Sequence, residues 1–213
     1  MLLTEAMEAL VAAASNYRTV IPMNKPLFLF VGKSASGKTT IANMLENEGY
    51  KQIASYTTRP PRFEGETGHT FISEEEFDNL KNIMAYTNYN NYRYCTTLEQ
   101  INDADIYVVD PDGVYTLLDN YSTLRRQVYI IYFDASVYSR INRMLMRDDS
   151  DTQIVGRLLT DEATNWMKDL IEINYNHNRV AEIQTIDANS DIQTVYVTVK
   201  NLIKLVEEGI LND

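Results

Sequence analysis

The chain has 213 residues, 45% of them hydrophobic, enough for one cored domain or one domain carrying inserted subdomains. Its 19 Lys and Arg against 30 Asp and Glu leave a net charge of -11, which argues against a general nucleic-acid or anionic-membrane surface, so any anion site has to be locally basic. The single cysteine, Cys95, excludes an internal disulfide and a cysteine metal cluster, and it fits a reducing, cytoplasmic setting.

Residues 1–25 carry the acidic Glu5 and Glu8, and their apolar stretch is too short and too interrupted to span a membrane. Leu3, Met7, Leu10, Ala14 and Tyr17 share one helical stripe, which predicts an N-terminal helical extension packed on the body or on a partner chain, a second copy included. Its polar face lacks basic residues, so membrane docking is not expected.

Leu27-Phe28-Leu29-Phe30-Val31 is an apolar run of the kind that makes a buried parallel strand. It leads into Gly32-Lys33-Ser34-Ala35-Ser36-Gly37-Lys38-Thr39, which meets the G-x-x-x-x-G-K-[ST] phosphate-loop pattern at every fixed position. Ile41, Met44 and Leu45 then share a helical stripe that Gly49 ends. Strand, loop and helix in this order aim backbone N–H groups and a helix N-terminus at an anion, and Gly32 and Gly37 let the main chain approach it without a Cβ clash. The pattern assigns Gly32, Ser34, Ser36, Gly37, Lys38, Thr39 and Thr40 to ATP, with Lys38 reaching the β- and γ-phosphates and the Thr39 hydroxyl holding Mg²⁺.

A strand over 52–56 runs into Thr57-Thr58-Arg59-Pro60-Pro61-Arg62, where two prolines hold the backbone extended. At the polyproline II repeat Arg59 and Arg62 lie on one side, about 9 Å apart along the axis, which suits a phosphate. The alternative is pairing with Glu64 and Glu66 just downstream. A turn at Gly65-Glu66-Thr67-Gly68 precedes a short strand at His69-Thr70-Phe71-Ile72, and Ser73 with Glu76 forms a capping box for a helix to about Lys81. The tyrosine-rich runs 84–89 and 92–96, with Asn90-Asn91 between them, predict a hairpin whose tyrosines either stack on a base or pack across the strands.

Asp105-Ile106-Tyr107-Val108-Val109-Asp110 is an apolar strand ending in a carboxylate. Asp110 and Asp112 can face Mg²⁺ or a substrate, or cap the helix that follows. After a buried strand over 128–133, a helix carries Arg140, Arg143 and Arg147 on one face, and like charges so placed repel unless an anion faces them. A polar loop at Asp148-Asp149-Ser150-Asp151 leads to a second helix bearing Arg157 and running on through Trp166, Leu170 and Tyr175. Arginines on both arms of a helix-loop-helix suit a phosphate lid, and the loop acids can pair with them or hold the lid open. His177 carries no assigned chemistry. A last strand over 182–186 and a closing helix capped by Ser190 and Gln193 complete an α/β pattern with a parallel core sheet.

Phosphate loop, Ser55-x-x-x-Arg59-x-x-Arg62, a Gly65-Glu66 turn, a tyrosine hairpin, an Asp-ended strand and an arginine lid come in an order that resembles the guanylate kinase family from Leu27 onward. The resemblance implies a domain over 26–213 with a P-loop NTPase-like core, an inserted monophosphate-binding subdomain near 55–97 and a helical lid near 140–160. It also implies transfer of the γ-phosphate of ATP to a nucleoside monophosphate, GMP or dGMP above all. Matched by position, Lys38 and Thr39 serve ATP and Mg²⁺; Ser55, Arg59, Arg62 and Tyr94 hold the acceptor phosphate; Arg143, Arg147 and Arg157 clamp the transferring group; Asp110 and Asp112 match an acidic pair facing the substrate. His69 stands where the family has a tyrosine and Thr96 where it has a base-contacting serine. The carboxylate that meets guanine falls near Ala85, so base reading is expected to be altered, with Glu99 the nearest acid. Two other readings follow from the same resemblance: a non-catalytic interaction module, which tends to lack the loop lysine and lid arginines present here, or a kinase for another phosphorylated acceptor.

Overall fold

The computed structural model describes residues 24–61, 64–89, 91–124, 126–163, 165–177 and 183–210. The expected N-terminal helix, Arg62, Asn90 and Glu182 lie outside the described residues. In chain order the strands are β1 (Asn24–Val31), β2 (Ser55–Thr57), β3 (His69–Phe71), β4 (Ile83–Tyr89), β5 (Tyr92–Thr97), β6 (Ile106–Val108), β7 (Arg126–Asp134) and β8 (Gln184–Asp187). The α-helices are α1 (Lys38–Glu46), α2 (Glu74–Asn79), α3 (Leu98–Asp103), α4 (Pro111–Asp119), α5 (Val137–Leu145), α6 (Asp151–Glu162), α7 (Trp166–Asn176) and α8 (Ile192–Glu207). No helix among the described residues is long and apolar enough to cross a membrane.

β1 explains its own sequence. Leu27, Leu29 and Val31 point into one core with Val128, Ile130, Leu117 and Leu170. Phe28 and Phe30 point into the other, with Ile131, Phe133, Ile41, Leu45 and Val199. A strand buried on both faces reads as an unbroken apolar run, and each such side chain contributes about 1.5–3 kcal/mol on burial. β1 pairs in parallel with β6 on one side and β7 on the other, and β8 extends the sheet, in the order β6-β1-β7-β8. The fold is therefore α/β around a parallel sheet.

The segment 55–97 builds a second sheet, ordered β3-β2-β5-β4. Its β4–β5 hairpin pairs Thr87 with Tyr94 and Ala85 with Thr96. Asn91 takes the turn at φ 62, a conformation Asn tolerates better than most residues. The Ser73 and Glu76 capping box forms as expected, with Glu76 N–H donating to Ser73 Oγ at 3.2 Å and Ser73 N–H to Glu76 at 2.8 Å.

Several expectations change. α3 was not anticipated, although its signal is present: Gln100 Oε1 accepts from Thr97 N–H at 3.2 Å, in a T-x-x-Q box. The helix expected to run from Thr152 through Tyr175 is two helices, because Asn165 caps α7 by accepting from Lys168 N–H at 3.2 Å. α8 is capped by Asp191, not Ser190; the Asp191 carboxylate reaches Gln193 and Thr194 N–H, each at 3.0 Å. α5 ends at Leu145, so Arg147 leaves the face it was expected to share with Arg140 and Arg143.

Candidate functional site

The glycine loop between β1 and α1 has the geometry its pattern demands. A Cβ on Gly32 would lie 2.6 Å from the Phe133 carbonyl oxygen, so no other residue fits there. Gly37 adopts φ 103 as the N-cap of α1 and offers no side chain to the helix, which leaves first-turn N–H groups without a side-chain cap. Lys38 folds across the loop, and its ammonium donates to the Gly32 carbonyl, to the Lys33 carbonyl at 3.1 Å and to Ser36 Oγ at 3.3 Å. Burial pushes its pKa down to about 8; Arg140 and Arg147 push the same way, while Asp161 and Asp110 oppose them. Ser36 is buried within the loop, whereas Thr39 and Thr40 are exposed on the first turn of α1.

Helices α5 and α6 grip this loop from outside. Ser34 N–H donates to Asp161 Oδ2 at 2.9 Å and Ser34 Oγ–H to Asp161 Oδ1 at 3.2 Å. Arg140 Nε donates to the Ser34 carbonyl at 3.1 Å, and its Nη2 to Asp161 at 3.0 Å; both side chains are 1% exposed. Lys33 and Glu162 add an ion pair at 2.7 Å. Arg143 lies beneath the loop: it donates to the carbonyls of Ala35 at 3.3 Å, Ser36 at 3.2 Å and Ala188 at 2.6 Å. Sequence reasoning placed Arg143 over the phosphates and missed Asp161 and Glu162, which carry no motif.

A cleft of about 550 Å³ runs from this loop to the second sheet. Gly32, Ser34 and Lys38 line one end; Ser55, Arg59, His69 and Tyr94 line the other. Arg157 and Asp161 border it from α6, and Asp110 from the C-terminal end of β6. At the far end Ser55 Oγ and His69 Nδ1 are 3.0 Å apart, and the His69 and Tyr94 rings meet edge to face at 5.6 Å. The Arg59 guanidinium takes Glu66 in a bidentate pair at 2.8 and 3.1 Å, while its buried Nε has no hydrogen-bond partner among the described residues. Pairing with a downstream acid and lining the cleft are thus both properties of Arg59.

Asp110 caps α4 by accepting from Gly113 N–H at 2.8 Å and also accepts from Thr87 Oγ1–H at 3.2 Å; burial raises its pKa. Asp112 is exposed and outside the cleft lining. Thr96 is fully buried, bonded to Gln100 at 3.2 Å, and does not line the cleft. Ala85 is fully buried, and Glu99 accepts from Asn82 at 2.7 Å on the outer surface, so neither brings a carboxylate to the hairpin's cleft face. Arg157 reaches the cleft, and Arg147 is half exposed outside it; both lean on Asp149, at 3.9 and 3.1 Å. Tyr89, on the hairpin, lines the cleft beside Arg157 and Asp161 of α6, and burial raises its pKa.

No protein-family model matches the chain, and no curated protein does. Among solved structures, guanylate kinase from Anaplasma phagocytophilum aligns over 86% of this chain and 86% of its own at a TM-score of 0.50 and 16% identity. A structure of APE1195 covers 87% of this chain and 98% of its own at 20% identity, with a TM-score of 0.42 too low to support an inference. The first likeness shows the fold alone, a mixed α/β architecture around a parallel four-stranded sheet, and leaves substrate and chemistry to the site.

Proposed function

We propose that the chain moves the γ-phosphate of ATP to a nucleoside monophosphate. One observation carries the reading: a single cleft has a phosphate-loop lysine at one end and a cluster of Ser55, Arg59, His69 and Tyr94 at the other. A donor polyphosphate on the loop and an acceptor phosphate on the cluster would face each other within it. Phosphoryl transfer asks little covalent chemistry of a protein, so positioning and charge stabilisation are the tasks its side chains have to perform.

At the loop, uncapped N–H groups of α1 and the Lys38 ammonium suit the β- and γ-phosphates. No cluster of three or more His, Cys, Asp or Glu among the described residues could hold a metal, so Mg²⁺ would arrive on the phosphates and take the Thr39 hydroxyl. The metal supplies charge neutralisation. At the far end Arg59, fixed by Glu66, and the Ser55–His69 pair would orient the acceptor. An acceptor-phosphate oxygen then attacks the γ-phosphorus as the bond to the β–γ bridging oxygen breaks; ADP leaves and a nucleoside diphosphate forms. Arg157, at the border of the cleft, and Lys38 would meet the charge that develops.

The base would sit against the hairpin, where Thr87, Tyr89 and Tyr92 line the cleft and Asp110 stands behind Thr87. GMP and dGMP are the proposed acceptors. With no carboxylate on the hairpin itself, discrimination among bases is expected to reach only about 1–3 kcal/mol, roughly ten- to two-hundredfold. The test is ADP and diphosphate formation from ATP with GMP, dGMP, AMP, CMP, UMP and dTMP. One ADP per nucleoside diphosphate, dependent on added acceptor, is expected; ADP formation indifferent to every acceptor would remove the proposal.

A further inference from the structure

The buried Asp161 carboxylate sits on a donor that the phosphate loop would offer to phosphate. Ser34 N–H is one of the loop's backbone donors, and Asp161 takes both it and the Ser34 hydroxyl, at 2.9 and 3.2 Å. Asp161 comes from the last turn of α6, far along the chain, and is 1% exposed. Its counter-ion Arg140, equally buried, holds Asp161 with Nη2 and the Ser34 carbonyl with Nε. A carboxylate and a phosphate oxygen compete for the same N–H and repel each other at this distance, since buried charges are weakly screened. Asp161 is also the largest favourable charge acting on the Lys38 ammonium.

Resting on the nucleotide reading, we infer that Asp161 and Arg140 form a charge-exchange latch: Asp161 is a tethered anion that withdraws when a triphosphate takes the Ser34 N–H, and Arg140 then pairs with that phosphate. Arg140 stays in place because its Nε remains on the Ser34 carbonyl. The aspartate thereby couples donor binding to the position of α6, which also carries Arg157 at the cleft border. Neither Arg140 nor Asp161 belongs to the phosphate-loop pattern, and no sequence signal paired them.

The test uses Asp161→Asn, which keeps an oxygen for Ser34 N–H and removes the charge, with binding measured by calorimetry at about pH 6.5, where Lys38 is still protonated. If the latch leaves the loop competent about one-tenth of the time, apparent affinity is weakened about tenfold, so the variant is expected to bind MgATP and inorganic tripolyphosphate about tenfold more tightly, with adenosine unchanged. Unchanged or weaker triphosphate binding by the folded variant would overturn the latch. Failure of both proteins to bind any polyphosphate would overturn the latch and the nucleotide reading together. Tighter binding without phosphoryl transfer to any acceptor would uphold the latch and remove the kinase reading. Should the variant not fold, hydrogen exchange on the unaltered protein decides: MgATP is expected to raise exchange in the last turn of α6, and unchanged or slowed exchange there would contradict the latch.

Discussion

The two ends of the cleft hold their cations in opposite ways. At the loop end Lys38 bonds only to carbonyl and hydroxyl oxygens of its own loop, and burial brings its pKa down to about 8. At the far end Arg59 is also disfavoured by burial, but the bidentate Glu66 pair outweighs it and raises its pKa. A cation whose partners are neutral gains much when an anion arrives, whereas one already neutralised gains less and serves mainly to fix position. The loop end is therefore built to respond to charge and the far end to hold geometry.

The largest effect should come from the responsive end. Lys38→Ala is expected to lower kcat by about a thousandfold or more, since a preorganised charge at the transferring group is worth several kcal/mol, while the melting temperature stays close to that of the unaltered protein. Steady-state rates and thermal melting of the same preparation check both halves. Near-normal kcat would remove the distinction between the ends.

Arg59→Ala comes next. Loss of a charged hydrogen bond of about 1.5–3 kcal/mol should raise KM for the acceptor roughly ten- to hundredfold and leave KM for ATP nearly unchanged. It also removes the bidentate partner of Glu66, which is expected to lower stability. Urea denaturation beside the KM measurement separates the scaffold role from the binding role. Equal rises in both KM values would show that the two ends are not distinct.

The pH dependence sharpens the same contrast. Lys38 loses its proton as pH rises through about 8, so kcat/KM for ATP is expected to fall above that pH. Its contribution to stability runs the other way. Between about 8 and 10.5 the unfolded lysine binds a proton that the folded one lacks, so this group's contribution to stability rises with pH across that window. A pH–rate profile with parallel denaturation curves reads both signs. The smallest effect is expected at the geometric end: His69→Phe removes one net hydrogen bond of about 0.5–1.5 kcal/mol and should raise acceptor KM about two- to tenfold.

What the sequence disclosed follows the range of the interactions. The loop was legible because its requirements are local: Gly32 is forced by the neighbouring Phe133 carbonyl and Gly37 by its positive φ, and both sit in a fixed pattern beside an apolar strand. Capping residues were legible where one candidate stood alone, as at Ser73, and misplaced where Ser190 and Asp191 adjoined, because a carboxylate accepts two N–H bonds as well as one. The arginine stripe misled because it assumed one helix past Leu145; the chain turns there, Arg143 goes under the loop and Arg147 out to solvent. Arg140 was read as part of that stripe, but its pairing with Asp161 could not be found. A buried ion pair between two helices leaves no periodicity, and Asp161 alone looks like an ordinary surface charge.

The central claim is that one cleft holds donor and acceptor together, and a single ligand can span it. Adenosine and guanosine joined through five phosphates would engage the loop and the Arg59 cluster at once, so the second contact becomes intramolecular. The measurement is its dissociation constant beside those of ATP and GMP alone. The account predicts binding about 10²–10⁴-fold tighter than the better of the two, weakened by both Lys38→Ala and Arg59→Ala. Affinity no greater than that of ATP, or indifference to Arg59→Ala, would contradict it.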